Sequence, residues 1–159
     1  MSAIENVGDE FGILLSCEPH AIQLPDGKIV VHIRVQRGGE HRIFTVYQCE
    51  SYDNGRTFTK PHQLLGDWGG SPAHLLLHSG GTLISAYGYR EAPDGVRVMF
   101  SRDGGETWDT DWVLYDGGAN GDLGYPATVE LADGSLLTVY YEHTGDQSVI
   151  RRQIWKLPE

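Results

Sequence analysis

The sequence predicts an all-β chain, a β-propeller of three four-stranded blades. Three observations predict it. A proline-anchored segment recurs as Pro19-His20-Ala21-Ile22-Gln23-Leu24-Pro25-Asp26-Gly27, as Pro72-Ala73-His74-Leu75-Leu76-Leu77-His78-Ser79-Gly80-Gly81, and as Pro126-Ala127-Thr128-Val129-Glu130-Leu131-Ala132-Asp133-Gly134, with the prolines 53 and 54 residues apart. Within each unit, short β-type runs alternate with Gly-containing turns, and hardly a stretch shows helical periodicity. Four antiparallel strands per repeat of about 50 residues is the pattern of a propeller blade. A sandwich or barrel is the alternative for a β-rich chain, but its strands need not recur in fours.

The blades are expected at about residues 17–66, 70–119 and 124–157 of a single domain spanning 1–159. In the second, strands read at about 73–78, 82–89, 96–101 and 107–114, with turns at Ser79-Gly80-Gly81, Glu91-Ala92-Pro93-Asp94-Gly95 and Asp103-Gly104-Gly105. A chain of this length supports one domain with a real core. Its 12 basic and 22 acidic residues give a net charge of −10, without the basic stripe that nucleic-acid binding needs. No run approaches the roughly 18 apolar residues of a membrane span. Met1-Ser2-Ala3-Ile4-Glu5 lacks the basic and apolar regions of a secretion signal, so a cytoplasmic chain is the default expectation. Cys17 and Cys49 read as free thiols in half-buried strands, with a single bridge between them as the alternative.

Two hairpin turns share a pattern: Ser51-Tyr52-Asp53-Asn54-Gly55-Arg56-Thr57-Phe58 and Ser101-Arg102-Asp103-Gly104-Gly105-Glu106-Thr107-Trp108. In such a turn the Asp accepts hydrogen bonds from the amides just after it, Gly supplies a positive φ, and Thr and the aromatic begin the return strand. Ser-x-Asp-x-Gly-x-Thr-Trp/Phe resembles the Asp-box (BNR repeat) of sialidases and related propellers. The resemblance implies that Ser51, Asp53, Gly55, Thr57 and Phe58, with Ser101, Asp103, Gly105, Thr107 and Trp108, are structural. It also implies that these turns lie on the face away from the active site. Strand order then puts Arg34–His41, Gly66–Ser71, Arg90–Gly95, Asp116–Tyr125 and Glu142–Gly145 at the opposite end, a natural binding surface.

The resemblance runs from about Cys17 to Trp155 and matches the C-terminal half of the six-bladed sialidase propeller. Glu18 precedes the Asp26-Gly27 turn and Arg34 follows it. Arg90 stands in the loop before the second Asp-box, and Leu123-Gly124-Tyr125 followed by Tyr140-Tyr141-Glu142 is similar to the family's last blade. A sialidase-type site implies Tyr125 as nucleophile, Glu18 as its general base, and Arg34 and Arg90 as part of a clamp on the substrate carboxylate. A neutral phenol avoids the repulsion that a second carboxylate would meet at an acidic sugar. The implied activity is that of a retaining exo-glycosidase, and the implied partner is a sialic-acid-like or other acidic glycan. A non-catalytic glycan- or protein-binding module is the alternative.

Trp68, in Asp67-Trp68-Gly69-Gly70, is placed to stack on a sugar ring or to fill space between blades. His74 and His78 lack the intervening Glu of a zinc-protease helix, and no glycine-rich phosphate loop is present, so neither a metal nor a cofactor is expected. Glu142 and His143 read as a hydrogen-bonded pair at the rim. The family's first-blade Arg and its loop Asp general acid/base have no counterpart here. Three blades are too few for a ring, and an open arc would expose the apolar faces of its first and last sheets. The chain is therefore expected to form a homodimer that closes a six-bladed ring, or to lack an N-terminal half.

Overall fold

A computed structural model describes residues 4–158; Met1-Ser2-Ala3, read above for a leader, and Glu159 lie outside the described residues. A short hairpin, β1 (Gly8–Asp9) and β2 (Gly12–Ile13), precedes three sheets. The first holds β3 (Leu15–Gln23), β4 (Ile29–Arg37), β5 (Ile43–Ser51) and β6 (His62–Gln63). The second holds β7 (Ala73–Leu77), β8 (Leu83–Tyr89), β9 (Gly95–Ser101) and β10 (Asp109–Tyr115). The third holds β11 (Leu123–Glu130), β12 (Leu136–Thr144) and β13 (Gln147–Trp155). Each sheet is an antiparallel meander in chain order, and the inner strands β3, β7 and β11 lie side by side. The propeller architecture is thus as the sequence predicts, except that the third sheet has three strands instead of four; Lys156, Leu157 and Pro158 continue unpaired.

Alternation along the strands explains how the sheets stack. On β4, Val31, Ile33 and Val35 point outward and are buried with Ile43 and Cys49 beneath Ile4, Val7 and Leu14. The first sheet's outer face is therefore covered by the chain's own residues 4–14, which corrects the expectation that both end faces stand open. Two clusters join the first sheet to the second: Val46, Leu65, Ala73, Tyr87 and Met99, and Leu24, Val30, Leu75 and Leu83. Ile84, Ala86, Val98, Phe100 and Leu136, with Val96, Leu123 and Tyr140, join the second to the third. The far side of the third sheet is bare: Val129, Ile150 and Ile154 are exposed there, and Val129 pairs with Leu137, which pairs with Ile154.

Polar groups also stitch the blades. His32, fully buried, meets Ser85 Oγ at 3.0 Å through Nδ1 and Gln48 Oε1 at 3.1 Å through Nε2. That same Gln48 oxygen accepts from Trp108 Nε1 at 2.9 Å, so it takes a proton from His32 as well, and Nδ1 is left to accept from Ser85. The recurring position His20, His74, Thr128 makes a second seam: Leu75 N–H donates to His20 Nδ1 and Thr128 N–H donates to His74 Nδ1. Cys17 and Cys49 are both free.

The two Ser-x-Asp-x-Gly-x-Thr turns carry the same network at the ends of β5 and β9. Asp53 Oδ1 accepts from the amides of Arg56 and Thr57 at 2.9 and 2.8 Å, and its Oδ2 accepts from Thr57 Oγ1. Asp103 repeats these bonds with Glu106 and Thr107. The Thr hydroxyls and amides pull the Asp53 carboxyl down to about 2, and Asp103 is lowered for the same reason. Both turns occupy the opposite end of their strands from Arg34 and Arg90.

Candidate functional site

Glu18 and Tyr125 stand at matching points of the first and third repeats, each immediately before a proline. The ladder breaks at both: register shifts separate Cys17 from His20 and Gly124 from Ala127. Both residues have left-handed backbones, φ 48° for Glu18 and 51° for Tyr125. That conformation costs a non-glycine residue about 1–2 kcal/mol, and strain of this kind concentrates at functional sites. Its effect is to turn both side chains off the sheets to a common point. Gly124 also matters here, because a Cβ on Gly88 would lie 3.0 Å from its Cα; the bare backbones let β8 and β11 close up beneath Tyr125.

The Tyr125 hydroxyl donates to Glu18 Oε1 at 2.6 Å. Arg34 Nη1 donates to Glu18 Oε2 at 2.8 Å and to the Tyr125 oxygen at 3.3 Å. Glu18, Arg34 and Tyr125 thus meet across blades one and three. Burial by itself would raise the Glu18 carboxyl, but the hydrogen bonds from Tyr125 and Arg34 and the charges of Arg34 and Arg90 outweigh it and hold the group below its usual range. The hydrogen bond to Glu18, then burial, raises the Tyr125 phenol. At neutral pH the pair is therefore carboxylate and phenol, an acceptor already aimed at a proton on a nucleophilic oxygen.

Arg90 joins the group through its ring contacts. Its guanidinium lies 5.3 Å from the Phe44 ring centroid and 6.0 Å from that of Tyr125, and Nε donates to the Leu123 carbonyl. Arg34 lies 4.8 Å from the same Phe44 ring. Both arginines thus rest on the one Phe44 ring. Trp68 stands apart from Tyr125 and Glu18, 38% exposed, with the Arg42 guanidinium stacked 4.0 Å from its ring centroid.

Glu142 and His143 do not bond to each other, contrary to expectation. As strand neighbours they point to opposite faces. Glu142 is buried and accepts from Arg151 Nε and Ala119 N, whereas His143 Nδ1 meets Ser148 Oγ. Among the described residues no group of three or more His, Cys, Asp or Glu side chains is placed to hold a metal.

Sequence reading missed Phe44 and Arg42, and placed Gln36 at the binding end only as part of Arg34–His41, with no role of its own. Gln36 accepts from Arg34 Nε at 2.9 Å and orients the guanidinium. The i, i+2 alternation that puts Arg34 and Gln36 on one face, and the register that opposes Gln36 to Phe44, were the available signals.

Two openings flank this group. One, of about 200 Å³, is lined by Glu18, His20, His74 and Tyr125 with the three prolines of the repeat. The other, of about 290 Å³, is lined by Arg34, Gln36, Arg37, Arg42, Phe44 and Arg90.

Among solved structures, the chain is similar to a protein of unknown function from Dyadobacter fermentans at 26% identity and a TM-score of 0.80, over 96% of this chain and 41% of that one. It is similar in fold to a PL25 polysaccharide lyase, an ulvan lyase bound to -[GlcA(1-4)Rha3S]-, at 18% identity and a TM-score of 0.60, over 88% of this chain and 41% of that one. A structure from the GH130 family of mannoside phosphorylases matches at 19% identity and a TM-score of 0.53, over 79% of this chain and 43% of that one. The chain thus spans about two fifths of each of these structures. No curated protein matches it. The BNR repeat-like domain matches residues 4–138, most of the chain with both Asp-centred turns and Tyr125, and the chain belongs to that family.

Proposed function

We propose that this BNR-type propeller chain recognises an acidic sugar at Glu18, Arg34, Arg90 and Tyr125, and acts on it as a sialidase-type glycoside hydrolase. The observation that carries the reading is the contact among Tyr125, Glu18 and Arg34, brought together from two blades through two strained bulges. In the proposed reaction the sugar carboxylate lies on Arg34 and Arg90. The Tyr125 oxygen attacks the anomeric carbon as its proton passes to Glu18 Oε1, and the bond to the leaving group breaks. Water then releases the sugar from Tyr125. Among the described residues only Glu18 and Arg34 bond the Tyr125 hydroxyl, so an aryl leaving group, which departs without a proton, is the appropriate substrate.

The test is turnover of an aryl sialoside by the purified chain. Release of the phenol that stops in Tyr125→Phe supports the reading; activity that survives Tyr125→Phe overturns it. A second reading, a glycan-binding module without catalysis, is favoured by the lack of a second carboxylate at Tyr125 among the described residues. It predicts saturable binding that Arg34→Ala removes and Tyr125→Phe leaves intact.

The bare row of Val129, Leu137 and Ile154 supports a partner on the third sheet, for which the proposed occupant is a second copy; because residues 4–14 cover the first sheet, a closed six-bladed ring requires that segment to lie between the blades of the two copies. Light scattering across a tenfold concentration range then reads about twice the 17.6 kDa chain mass. A monomeric mass would instead leave the remaining blades to another chain or to further sequence.

A further inference from the structure

A chain of net charge −10 places four of its nine arginines, Arg34, Arg37, Arg42 and Arg90, around a single cleft. Two of them are neutralised. Arg34 pairs with Glu18, and Arg37 forms a two-pronged bond with Asp9 at 2.6 and 2.8 Å. Among the described residues neither Arg90 nor Arg42 forms an ion pair: Arg90 bonds a backbone carbonyl and rests on rings, with Glu18 feeling its charge, and Arg42 rests on Trp68. The cleft therefore holds two guanidiniums, from different blades, that form no ion pair among the described residues.

The Arg42–Trp68 pair is built to stay in place. Arg42 directly precedes Ile43, which is buried in the core at the start of β5. The loop carrying Trp68 is clipped to the same strand: Phe44 N donates to the Asp67 carbonyl at 2.7 Å, Gly70 N donates to the Phe44 carbonyl at 3.1 Å, and Gly69 N closes a turn on the Gly66 carbonyl. Stacking on indole occupies the face of a guanidinium and leaves its in-plane N–H fork free, the edge that binds carboxylates and sulfates in two-pronged fashion. Trp68, partly exposed beside it, offers an apolar edge to a sugar ring.

We propose that Arg42 and Trp68 form a second subsite of the cleft, holding a second anionic group, a carboxylate or a sulfate ester, on an acidic oligosaccharide whose first carboxylate lies on Arg34 and Arg90. This rests on the acidic-sugar reading of the neighbouring site and sharpens it: the ligand is at least a disaccharide with two negative charges.

Calorimetric titration of the full chain with N-acetylneuraminic acid and with its α2,8-linked dimer tests this. The dimer is expected to bind about tenfold tighter or more, the gain of one charge-assisted contact. Arg42→Gln should bring the dimer to the affinity of the monomer and change the monomer less than twofold. Arg42→Lys, which keeps the charge and loses the fork, should retain part of the gain. A sulfated sialyl-lactosamine against its unsulfated form distinguishes sulfate from carboxylate as the second anion, and a gain in either pair supports the subsite. Monomer binding without a gain in either pair overturns the second subsite and leaves the acidic-sugar reading standing. Equal weakening of monomer and dimer by Arg42→Gln also overturns it. Failure of every probe to bind removes the acidic-sugar reading, and the subsite with it.

Discussion

Replacing His32 with glutamine should remove a large part of the acid sensitivity of this fold between pH 7.5 and 5, which it shares with the lowered His74 and His20. His32 is fully buried between the first two sheets, and burial pulls its imidazole down to about 3, only partly opposed by the bond to Gln48. Its folded value thus lies below the unfolded one, about 6.5. The stability tied to the neutral ring is present in full above pH ~6.5 and drains as the pH falls towards 3, because the unfolded chain takes the proton first. At pH 5 the unfolded chain gains roughly 1.5 pH units of proton binding, a loss of about 2 kcal/mol. His74, part-buried and lowered to about 4, adds a further loss of about 1–2 kcal/mol. The depressed turn carboxylates scarcely contribute in this window, since they lose their share only below about pH 4. The glutamine side chain in His32→Gln keeps a donor and an acceptor but does not titrate. The assay is urea unfolding followed by tryptophan fluorescence at several pH values, with Trp108 4.9 Å from His32 as a reporter. An equal loss of stability in His32→Gln and the parent chain would refute the assignment of a buried neutral His32 that joins the blades just below Arg34.

Two further predictions concern the turns and the strained site. Asp103→Ala should lower the melting temperature at pH 7, because the amides of Glu106 and Thr107 and the Ser101 and Thr107 hydroxyls lose their acceptor. The deficit should shrink below pH 4, where the unfolded parent chain takes up a proton that the folded Asp103 still resists, and a thermal melt at both pH values checks it. Tyr125→Gly should relieve the left-handed backbone at this position and leave the melting temperature no lower than that of the parent, although the bond to Glu18 is lost; a drop of more than a few degrees would mean that the bulge is not strained.

Much of the site was readable because the chain repeats. The prolines 53 and 54 residues apart mark the inner strands, and the same spacing aligns Glu18 with Tyr125 and His20 with His74. Phe44 and Arg42 escaped, and Gln36 gained no role of its own, because none carries a local signature; their roles arise from strand pairing and from the approach of a loop. Glu142 and His143 misled because adjacency in sequence suggested a pair, whereas a strand sends neighbours to opposite faces.

The sequence by itself determined what short-range chemistry controls. Alternation, turn composition and the repeat period set the β meanders, and the Ser-x-Asp-x-Gly-x-Thr pattern set turns whose bonds close within four residues. Only the tertiary structure decided what depends on blade packing. It covered the first sheet with residues 4–14, ended the third at three strands, and brought the Tyr125 hydroxyl to Glu18 across 107 residues of chain. Such contacts follow from how far each sheet turns against the next, a property of interdigitating side chains that no single repeat encodes. The placement of Arg42 on Trp68, and so of a second positive charge in the cleft, is of the same kind.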